Sequence, residues 1–390
     1  MERLIASYRK LIADTTATFH RYMFDRINWS NRMLGIVGPR GVGKTTMMLQ
    51  YIKEQLNAAT TLYVTADDFY FSTHHLVDLA DTFAKLGGTH LFIDEIHKLP
   101  EWSRELKLIY DYHPELRVVY SGSSVLDITK GTTADLSRRA IVYHLQGLSW
   151  REYLQLFHNI TLPILSLDDV LEHRLELPFG FRPLASFHDY LRQGYYPFAT
   201  EPDYGQRLLA IIEKTLEVDI PQYAEMNASM ARKLKQLLAI ISGSVPFKPN
   251  MSTIGQALGV SRNNVADYLL YIEEAGLIAQ LRDDTGGIRG LGKVNKVYLD
   301  NTNLVYALAG PLADIGNVRE TFFINQMRVG HDIISSPIAD FLIDGRTFEV
   351  GGRKKGYHQI ETAAEGYVVK DDIEFGFANT IPLWAFGLTY

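Results

Sequence analysis

The stretch Met33–Thr46, MLGIVGPRGVGKTT, decides the fold of the first part of the chain. It opens with an apolar run typical of a buried strand, turns through three glycines and continues into a helical pattern. The turn matches the pattern G-x-x-x-x-G-K-[ST] in full, between a strand and a helix. The glycines let backbone N–H groups curl around phosphate oxygens, and the helix N-terminus adds its positive dipole. We therefore predict a site for nucleotide phosphates.

Each residue type in this loop has an expected role. The Lys44 ammonium should reach the β- and γ-phosphates, and the Thr45 hydroxyl should ligate Mg²⁺. A polar side chain at the end of a neighbouring strand, such as Ser121, should also contact the γ-phosphate or the attacking water. The residues expected to bind the nucleotide are Gly38, Pro39, Arg40, Gly41, Val42, Gly43, Lys44, Thr45, Thr46 and Ser121.

A second apolar run, Leu91–Asp94, ends in one acid, and Glu95 follows directly. A carboxylate at the carboxyl end of a parallel strand faces the same crevice as the phosphate loop. We expect Asp94 to hold Mg²⁺ together with Thr45, and Glu95 to orient or deprotonate the attacking water. Glu95 and Lys44 are therefore the predicted catalytic residues of this crevice.

Other apolar runs complete an α/β core with a parallel sheet. They predict strands at Thr60–Thr65, Leu116–Ser121 and Ala140–Leu145, with helices at about Lys44–Leu56 and Asp78–Lys85. Arg139 immediately precedes the last strand. Its guanidinium is predicted to act as a finger on the nucleotide of a neighbouring subunit, the alternative being a surface ion pair.

A helix–turn–helix–hairpin pattern follows in the middle of the chain. It consists of helices at Ser252–Leu258 and Ser261–Ala275 and a hairpin of Leu277–Arg282 with Lys293–Leu299, the layout of a winged helix. The residues expected to contact DNA are Arg262, Asn263 and Asn264 in the major groove and Arg289 and Lys293 at phosphates. Residues 230–300 hold nine Arg and Lys against six Asp and Glu, a balance of +3. Glu273 and Glu274 favour the alternative, a winged helix that binds protein.

Three acids in the last 90 residues could converge on one further Mg²⁺. They are Glu320 on a helix, Asp340 at the end of a strand and Glu349 on the next strand. This arrangement resembles the PD-(D/E)xK nuclease fold, in which a lysine two residues after the glutamate activates water. Here that position is Gly351, so we expect a nuclease-like domain without normal activity.

Several motifs give the chain a resemblance to AAA+ ATPases, and most of all to a prokaryotic family that joins this core to a variable C-terminal half. They are the segments 38–46 (GPRGVGKTT), 93–98 (IDEIHK), 121–124 (SGSS), 148–154 (LSWREYL) and 190–197 (YLRQGYYP). The resemblance implies that the chain binds ATP and Mg²⁺ and hydrolyses ATP.

Composition excludes several other classes of protein. The 390 residues include no cysteine, which rules out disulfide frameworks, thiolate metal sites and cysteine nucleophiles. No apolar run is long enough to span a bilayer, and the first residues do not look like a signal peptide, so a soluble cytoplasmic protein is expected. The net charge of −6 gives no global basic field that would attract nucleic acid.

The sequence thus predicts four segments: an AAA+ P-loop ATPase domain (1–155), a helical connector (156–227), a winged helix-turn-helix (228–300) and an α+β nuclease-like domain (301–390). We expect an ATPase with Mg²⁺ that acts as a DNA-associated nucleotide switch. The alternatives are a signalling or scaffold ATPase that binds proteins, and an ATP-dependent DNA nuclease. A homo-oligomer is among the expected assemblies, and a membrane partner is not.

Overall fold

The computed structural model describes residues 1–123, 136–224, 226–243, 246–284 and 293–390. Contacts between residues divide the chain into two units, Met1–Gly147 and Leu148–Tyr390. Within the described residues, no helix combines the length and the apolar character needed to cross a membrane.

The first unit is built on one sheet of five parallel strands, which confirms the expected α/β core. The strands are β1 (Met33–Gly38), β2 (Thr61–Thr65), β3 (His90–Asp94), β4 (Arg117–Ser123) and β5 (Ile141–His144). Their order in the sheet is β2-β3-β4-β1-β5, so β4 lies between the strand that leads into the phosphate loop and the strand that ends in Asp94. Because all strands run the same way, their carboxyl ends meet at one edge.

Helices cover this sheet. They are α1 (Glu2–Asp14), α2 (Lys44–Gln55), α3 (Leu76–Lys85) and α4 (Trp102–Tyr112). The central strands read as continuous apolar runs because both of their faces are covered, and every residue of β1 is buried. The sheet is thus a rigid base, and the loops at its carboxyl edge carry the site.

The second unit begins with helices. They are α5 (Trp150–His158), α6 (Leu167–Leu171), α7 (Pro183–Gln193), α8 (Tyr204–Lys214) and α9 (Ile220–Tyr223), with a π-helical turn at Thr215–Asp219. Helix α5 starts with a capping box, in which the Ser149 hydroxyl accepts from the Glu152 amide and the Glu152 carboxylate accepts from the Ser149 amide.

The next segment has the elements predicted for the helix–turn–helix and hairpin. They are α10 (Ala228–Ser242), α11 (Met251–Leu258), α12 (Arg262–Glu274) and the antiparallel strands β6 (Ile278–Arg282) and β7 (Val294–Leu299). Ser261 is the N-cap of α12, and its hydroxyl accepts from the Asn264 amide. The expected DNA contact Arg289 lies outside the described residues.

The last part of the second unit joins two helices to a mixed sheet. The elements are α13 (Thr302–Ala309), α14 (Ile315–Met327), β8 (Ile333–Ser335), β9 (Phe341–Ile343), β10 (Arg346–Gly351), β11 (Gly366–Lys370) and β12 (Thr380–Pro382). The order is β12-β11-β10-β9-β8, with β10, β11 and β12 parallel and β8 and β9 antiparallel to their neighbours. Asp344 and Gly345, both with positive φ, make the turn between β9 and β10.

Candidate functional site

The phosphate loop leaves β1 at Gly38 and enters α2 at Lys44. Gly43 caps the helix with φ 97°, a left-handed conformation that favours glycine. The Lys44 ammonium donates to the carbonyl oxygens of Gly38 (2.8 Å) and Pro39 (2.9 Å). It is therefore held inside the loop, close to the position from which a P-loop lysine reaches phosphates.

The loop is anchored by the segment that follows β5 and by an arginine from before β1. A Cβ on Gly38 would lie 2.2 Å from the carbonyl oxygen of Leu145, so only glycine fits there. The buried Arg21 guanidinium donates to the carbonyl oxygen of Val42, and also to those of Gln146 (2.7 Å) and Gly147 (2.8 Å). These contacts hold the loop backbone against the segment that follows β5.

Asp94 is the centre of a hydrogen-bonded group at the edge of the sheet. Its Oδ2 accepts from the Thr45 hydroxyl (2.6 Å) and the Tyr63 hydroxyl (2.7 Å), and its Oδ1 accepts from the Ser121 hydroxyl. Burial raises the pKa of Tyr63, and the nearby Asp94 charge adds to this effect, so the phenol remains a donor. A hydroxyl and a carboxylate side by side supply the hard oxygen ligands that Mg²⁺ prefers, so the residues fit this ion.

Glu95 adopts φ 54° directly after β3. Its Oε2 lies 3.3 Å from His97 Nε2 and 3.7 Å from a guanidinium nitrogen of Arg40, yet no hydrogen bond reaches it from the described residues. Burial raises the pKa of the Glu95 carboxyl, while the positive charges of Lys44 and Arg40 act in the opposite direction. A buried carboxylate oxygen without a donor is well suited to accept a proton.

The structure brings the predicted residues Lys44, Thr45, Asp94, Glu95 and Ser121 together. Ser121 is turned toward its neighbours, because its hydroxyl bonds Asp94 and accepts from the Glu95 amide (3.2 Å). Thr46 is exposed on the first turn of α2.

Arg139 is placed elsewhere. It precedes β5, whose first residue pairs with Leu34 near the start of β1, so it lies toward the edge of the sheet opposite the phosphate loop. Its Nε and one terminal nitrogen donate to the two carboxylate oxygens of Asp111 at 3.0 and 3.1 Å. Arg139 is therefore too far from the phosphate loop of its own subunit to reach a nucleotide there.

Sequence reasoning missed Arg21 and Tyr63. Arg21 precedes the loop by a stretch with no periodic pattern, so only the fold reveals that it contacts Val42. Tyr63 lies within a short apolar strand and was indistinguishable from a core residue. A buried tyrosine hydroxyl usually needs a hydrogen-bond partner. A tyrosine on a strand predicted near the one that ends in Asp94 was therefore the one available signal.

In the second unit, the residues predicted to contact DNA differ in their surroundings. Arg262, Asn263 and Lys293 are exposed. Asn264 is partly buried, and its side-chain oxygen accepts from the Ser261 hydroxyl. Three of the bases counted above are tied to acids, Lys235 to Glu213 and Glu217, Arg282 to Glu273, and Lys296 to Glu320 and Asp340.

Glu273 points inward from α12 instead of adding charge to its exposed face. It accepts from the amide nitrogen and the side-chain nitrogen of Gln280, both at 2.7 Å. Burial raises the pKa of its carboxyl. Its presence in the sequence therefore argues less strongly against DNA binding than the linear pattern suggested.

The three acids of the predicted second metal site are held by lysines. Glu320 and Asp340 contact the Lys296 ammonium, whereas Glu349 forms an ion pair with Lys355. Another group, His188, Asp371 and Asp372, has ligand atoms within 4.8 Å of one another. Arg319 occupies it, because its Nε donates to Asp371 at 2.8 Å.

Comparisons with known proteins agree with the geometry of the first unit. Residues 30–154 match the model of an AAA domain, and residues 184–314 match a domain of unknown function (DUF8612). An uncharacterized protein of Methanocaldococcus jannaschii is 23% identical over 277 residues, which are 65% of this chain and 57% of that protein. The chain thus spans little more than half the length of this relative.

Solved structures with AAA-type folds also align with the chain. PCH-2 of C. elegans is 14% identical over 70% of this chain and 66% of its own, with a TM-score of 0.27. DnaA of Aquifex aeolicus is 14% identical over 69% and 86%, with a TM-score of 0.28. S. cerevisiae Hsp104 is 18% identical over 70% and 39%, with a TM-score of 0.27. TM-scores this low do not establish a common overall fold.

The description of residues 30–154 as an AAA domain therefore rests on the family match and on the geometry of the site. The phosphate loop, Asp94 and Glu95 all lie within the matched range. Residues 30–154 match an AAA domain, and the loop 38–45, Asp94 and Ser121 lie at the carboxyl edge of its parallel sheet.

Proposed function

We propose that the first unit binds ATP with Mg²⁺ and hydrolyses it. The observation that carries the proposal is the 2.6 Å hydrogen bond from the Thr45 hydroxyl to Asp94, which joins the phosphate loop to the end of β3 across β4. With Glu95 next in the chain, ligands for the ion and a base for the water lie together. No arrangement of this kind is needed for a purely structural loop.

Each residue has a distinct task. Lys44 exchanges its loop carbonyl partners for phosphate oxygens, and the loop amides hold the remaining phosphate charge. Thr45 and Asp94 hold Mg²⁺, which would neutralise phosphate charge when bound. Tyr63 and Ser121 keep the Asp94 carboxylate oriented through their hydrogen bonds. Glu95 accepts the proton of the attacking water at its donor-free Oε2.

Arg40 is the arginine that serves the reaction within the same subunit. Its guanidinium lies on the phosphate loop itself and within 3.7 Å of Glu95. A guanidinium there can both position the Glu95 carboxylate and neutralise charge that develops on the γ-phosphate. Arg139 remains a sequence-based prediction for a neighbouring subunit, and its ion pair with Asp111 would have to break first.

Steady-state ATP hydrolysis tests this function directly. The wild type should turn over ATP, and Lys44→Ala and Glu95→Gln should not. Glu95→Gln should still bind ATP, because it removes the base and leaves the loop intact. If Glu95→Gln hydrolysed ATP at the wild-type rate, the proposed chemistry would be wrong.

The second unit is proposed to couple this ATPase to DNA as a nucleotide switch, through a winged helix. Exposed Arg262 and Asn263 at the start of α12 support this role. Duplex DNA should then raise ATP turnover, and Arg262→Ala should lose this stimulation while keeping the basal rate. Lys10→Ala, which changes an exposed base on α1, is the matched control.

A protein partner is the second candidate. It is favoured by the ion pairs that neutralise Lys235, Arg282 and Lys296, since these leave fewer bases for phosphates. In this case ATP turnover ignores DNA, and capture of the partner depends on the nucleotide. A nuclease, the third candidate, would cut DNA with Mg²⁺ and lose that activity in Asp340→Ala or Glu349→Ala; we expect no cutting.

A further inference from the structure

A lysine from the hairpin lies between two acids of the nuclease-like part of the second unit. The Lys296 ammonium, on β7, is 3.1 Å from Glu320 Oε2 and 3.0 Å from Asp340 Oδ1. The Tyr298 hydroxyl donates to the same oxygen of Glu320 at 2.6 Å. All three charged side chains are no more than 16% exposed, so the ammonium is the counter-charge of a largely buried cluster.

A second lysine replaces the side chain that Gly351 lacks. A Cβ on Gly351 would lie 2.7–2.9 Å from three aliphatic carbons of Lys355, so the Lys355 chain runs through the space of the missing side chain. Its ammonium forms an ion pair with Glu349, the residue two positions before Gly351. A lysine therefore stands beside Glu349 in space although none follows it at the expected position in sequence.

One carboxylate oxygen of the cluster has no partner. Glu349 is 2% exposed, and its Oε2 accepts no hydrogen bond from the part of the chain that the structure describes. Glu349 lies beside Asp340, because the amide of Val350, the next residue, donates to Asp340 Oδ2 at 3.1 Å. A buried carboxylate oxygen without a donor is costly unless a cation can satisfy it.

We propose that Lys296 is a built-in cation that fills a divalent-cation site made by Glu320, Asp340 and Glu349. With the ammonium in place, Mg²⁺ or Mn²⁺ is excluded, because a second cation would meet like charge and would find two of its oxygen ligands already engaged. Without the ammonium, the three carboxylates, including the unpartnered Oε2 of Glu349, would supply oxygen ligands for such an ion. This inference rests on contacts within the second unit and is independent of ATP hydrolysis.

The test measures Mn²⁺ binding by electron paramagnetic resonance in nucleotide-free protein. All variants carry Asp94→Asn, so that the first unit contributes no metal ligand. In that background, Lys296→Met should bind Mn²⁺ at least about tenfold more tightly than the parent. Adding Glu349→Gln should remove the gain, and Lys293→Met, on an exposed base of the same hairpin, should show none.

Two results would overturn the proposal. One is a parent protein that already binds Mn²⁺ in a manner sensitive to Glu349→Gln, since the lysine would then exclude nothing. The other is a folded Lys296→Met that gains no affinity. If Lys296→Met does not fold, Lys296→Gln, which keeps a hydrogen-bond donor, takes its place, and its melting temperature must rise with Mn²⁺ while that of the parent does not.

Discussion

The Arg21 guanidinium donates to the carbonyl oxygen of Val42, in the middle of the phosphate loop. The same side chain bonds Gln146 and Gly147, so one buried cation ties the loop to the segment that follows β5. A loop whose backbone is fixed in this way is already ordered before phosphate arrives, which lowers the entropic cost of binding.

Replacing Arg21 should therefore weaken nucleotide binding without touching a phosphate contact. Arg21→Met leaves three carbonyl oxygens without this donor, and we expect a loss of about 2–4 kcal/mol in stability and at least about tenfold in ADP affinity. Thermal unfolding and fluorescence titration with ADP measure both effects. Arg26→Met, on a neighbouring exposed arginine, should change neither; equal losses in the two variants would contradict the anchoring role.

Thr45 and Asp94 should control the dependence on Mg²⁺. Thr45→Val and Asp94→Asn are expected to lower ATP turnover by about tenfold or more and to raise the Mg²⁺ concentration needed for half-maximal rate. Thr45→Ser keeps the hydroxyl and should remain close to wild type. ADP binding in the absence of Mg²⁺ should be similar in all of them. A Thr45→Val variant with an unchanged Mg²⁺ requirement would show that the hydroxyl is not a ligand.

The roles proposed for Arg40 and Arg139 predict opposite effects of subunit association on ATP turnover. If Arg40 serves its own subunit, Arg40→Ala should lower kcat by about tenfold to a hundredfold. ADP affinity should change little, because ADP lacks the γ-phosphate. Turnover per subunit should be independent of protein concentration, and Arg139→Ala should be near wild type. Turnover that rises with concentration and disappears in Arg139→Ala would favour the finger in trans.

Glu95 should set the acid limb of the pH profile of kcat. Burial raises the pKa of its carboxyl, so the base becomes protonated, and activity falls, at a higher pH than for an ordinary glutamate. Arg40→Ala removes one of the charges that oppose this shift, so the limb should move further toward neutral pH. If kcat fell at the same pH in wild type and Arg40→Ala, Glu95 would not be the group whose protonation limits activity.

The ion-pair group around His188 should stabilise the second unit in a defined pH window. Its contact with the Asp371 carboxylate, 3.7 Å from His188 Nε2, raises the pKa of His188. The stability that this contact contributes is therefore complete below the ordinary histidine pKa of about 6.5 and is lost as pH rises through the folded-state value. Burial opposes a low pKa of Asp371, but His188 and Arg319 outweigh it and lower the pKa. The stability that ionised Asp371 contributes is lost as pH falls below about 4.

We therefore expect His188→Gln to lower Tm between about pH 4 and 6.5 and to have little effect near pH 8. Because the His188 side chain is 40% exposed, solvent weakens its ion pairs, and the loss should be about 0.5 kcal/mol, or roughly 1–2 °C. Calorimetry across this pH range measures it. A loss of the same size at every pH would indicate packing instead of charge.

The first unit was predictable because its signals are local. The phosphate loop is one continuous segment, and Asp94 and Glu95 follow a short apolar run, so strand direction alone places them together. The helix–turn–helix elements and the Ser261 cap follow from local patterns as well. These are features in which residues close in sequence determine the structure.

The contacts made by lysines in the second unit could not be predicted in this way. Lys296 meets Glu320 and Asp340 across 24 and 44 residues. Gly351 looked like the loss of a lysine, yet Lys355 enters its space from the following turn. Arg139 likewise meets Asp111 across 28 residues. Spacing in sequence says little about pairs that only the tertiary fold brings together.

The bonds from Lys44 to Gly38 and Pro39 have a practical consequence for genetics. In Lys44→Ala the protein loses two hydrogen bonds within the loop as well as the proposed phosphate contact. The phenotype of such a cell would therefore combine the effect of lower stability with that of lost ATP hydrolysis. Glu95 Oε2 accepts no hydrogen bond from the described residues, so Glu95→Gln should instead give a protein that captures ATP and keeps it. A dominant-negative effect seen with the glutamine variant and absent with the alanine variant would identify the nucleotide-loaded form as the one that engages other molecules in the cell.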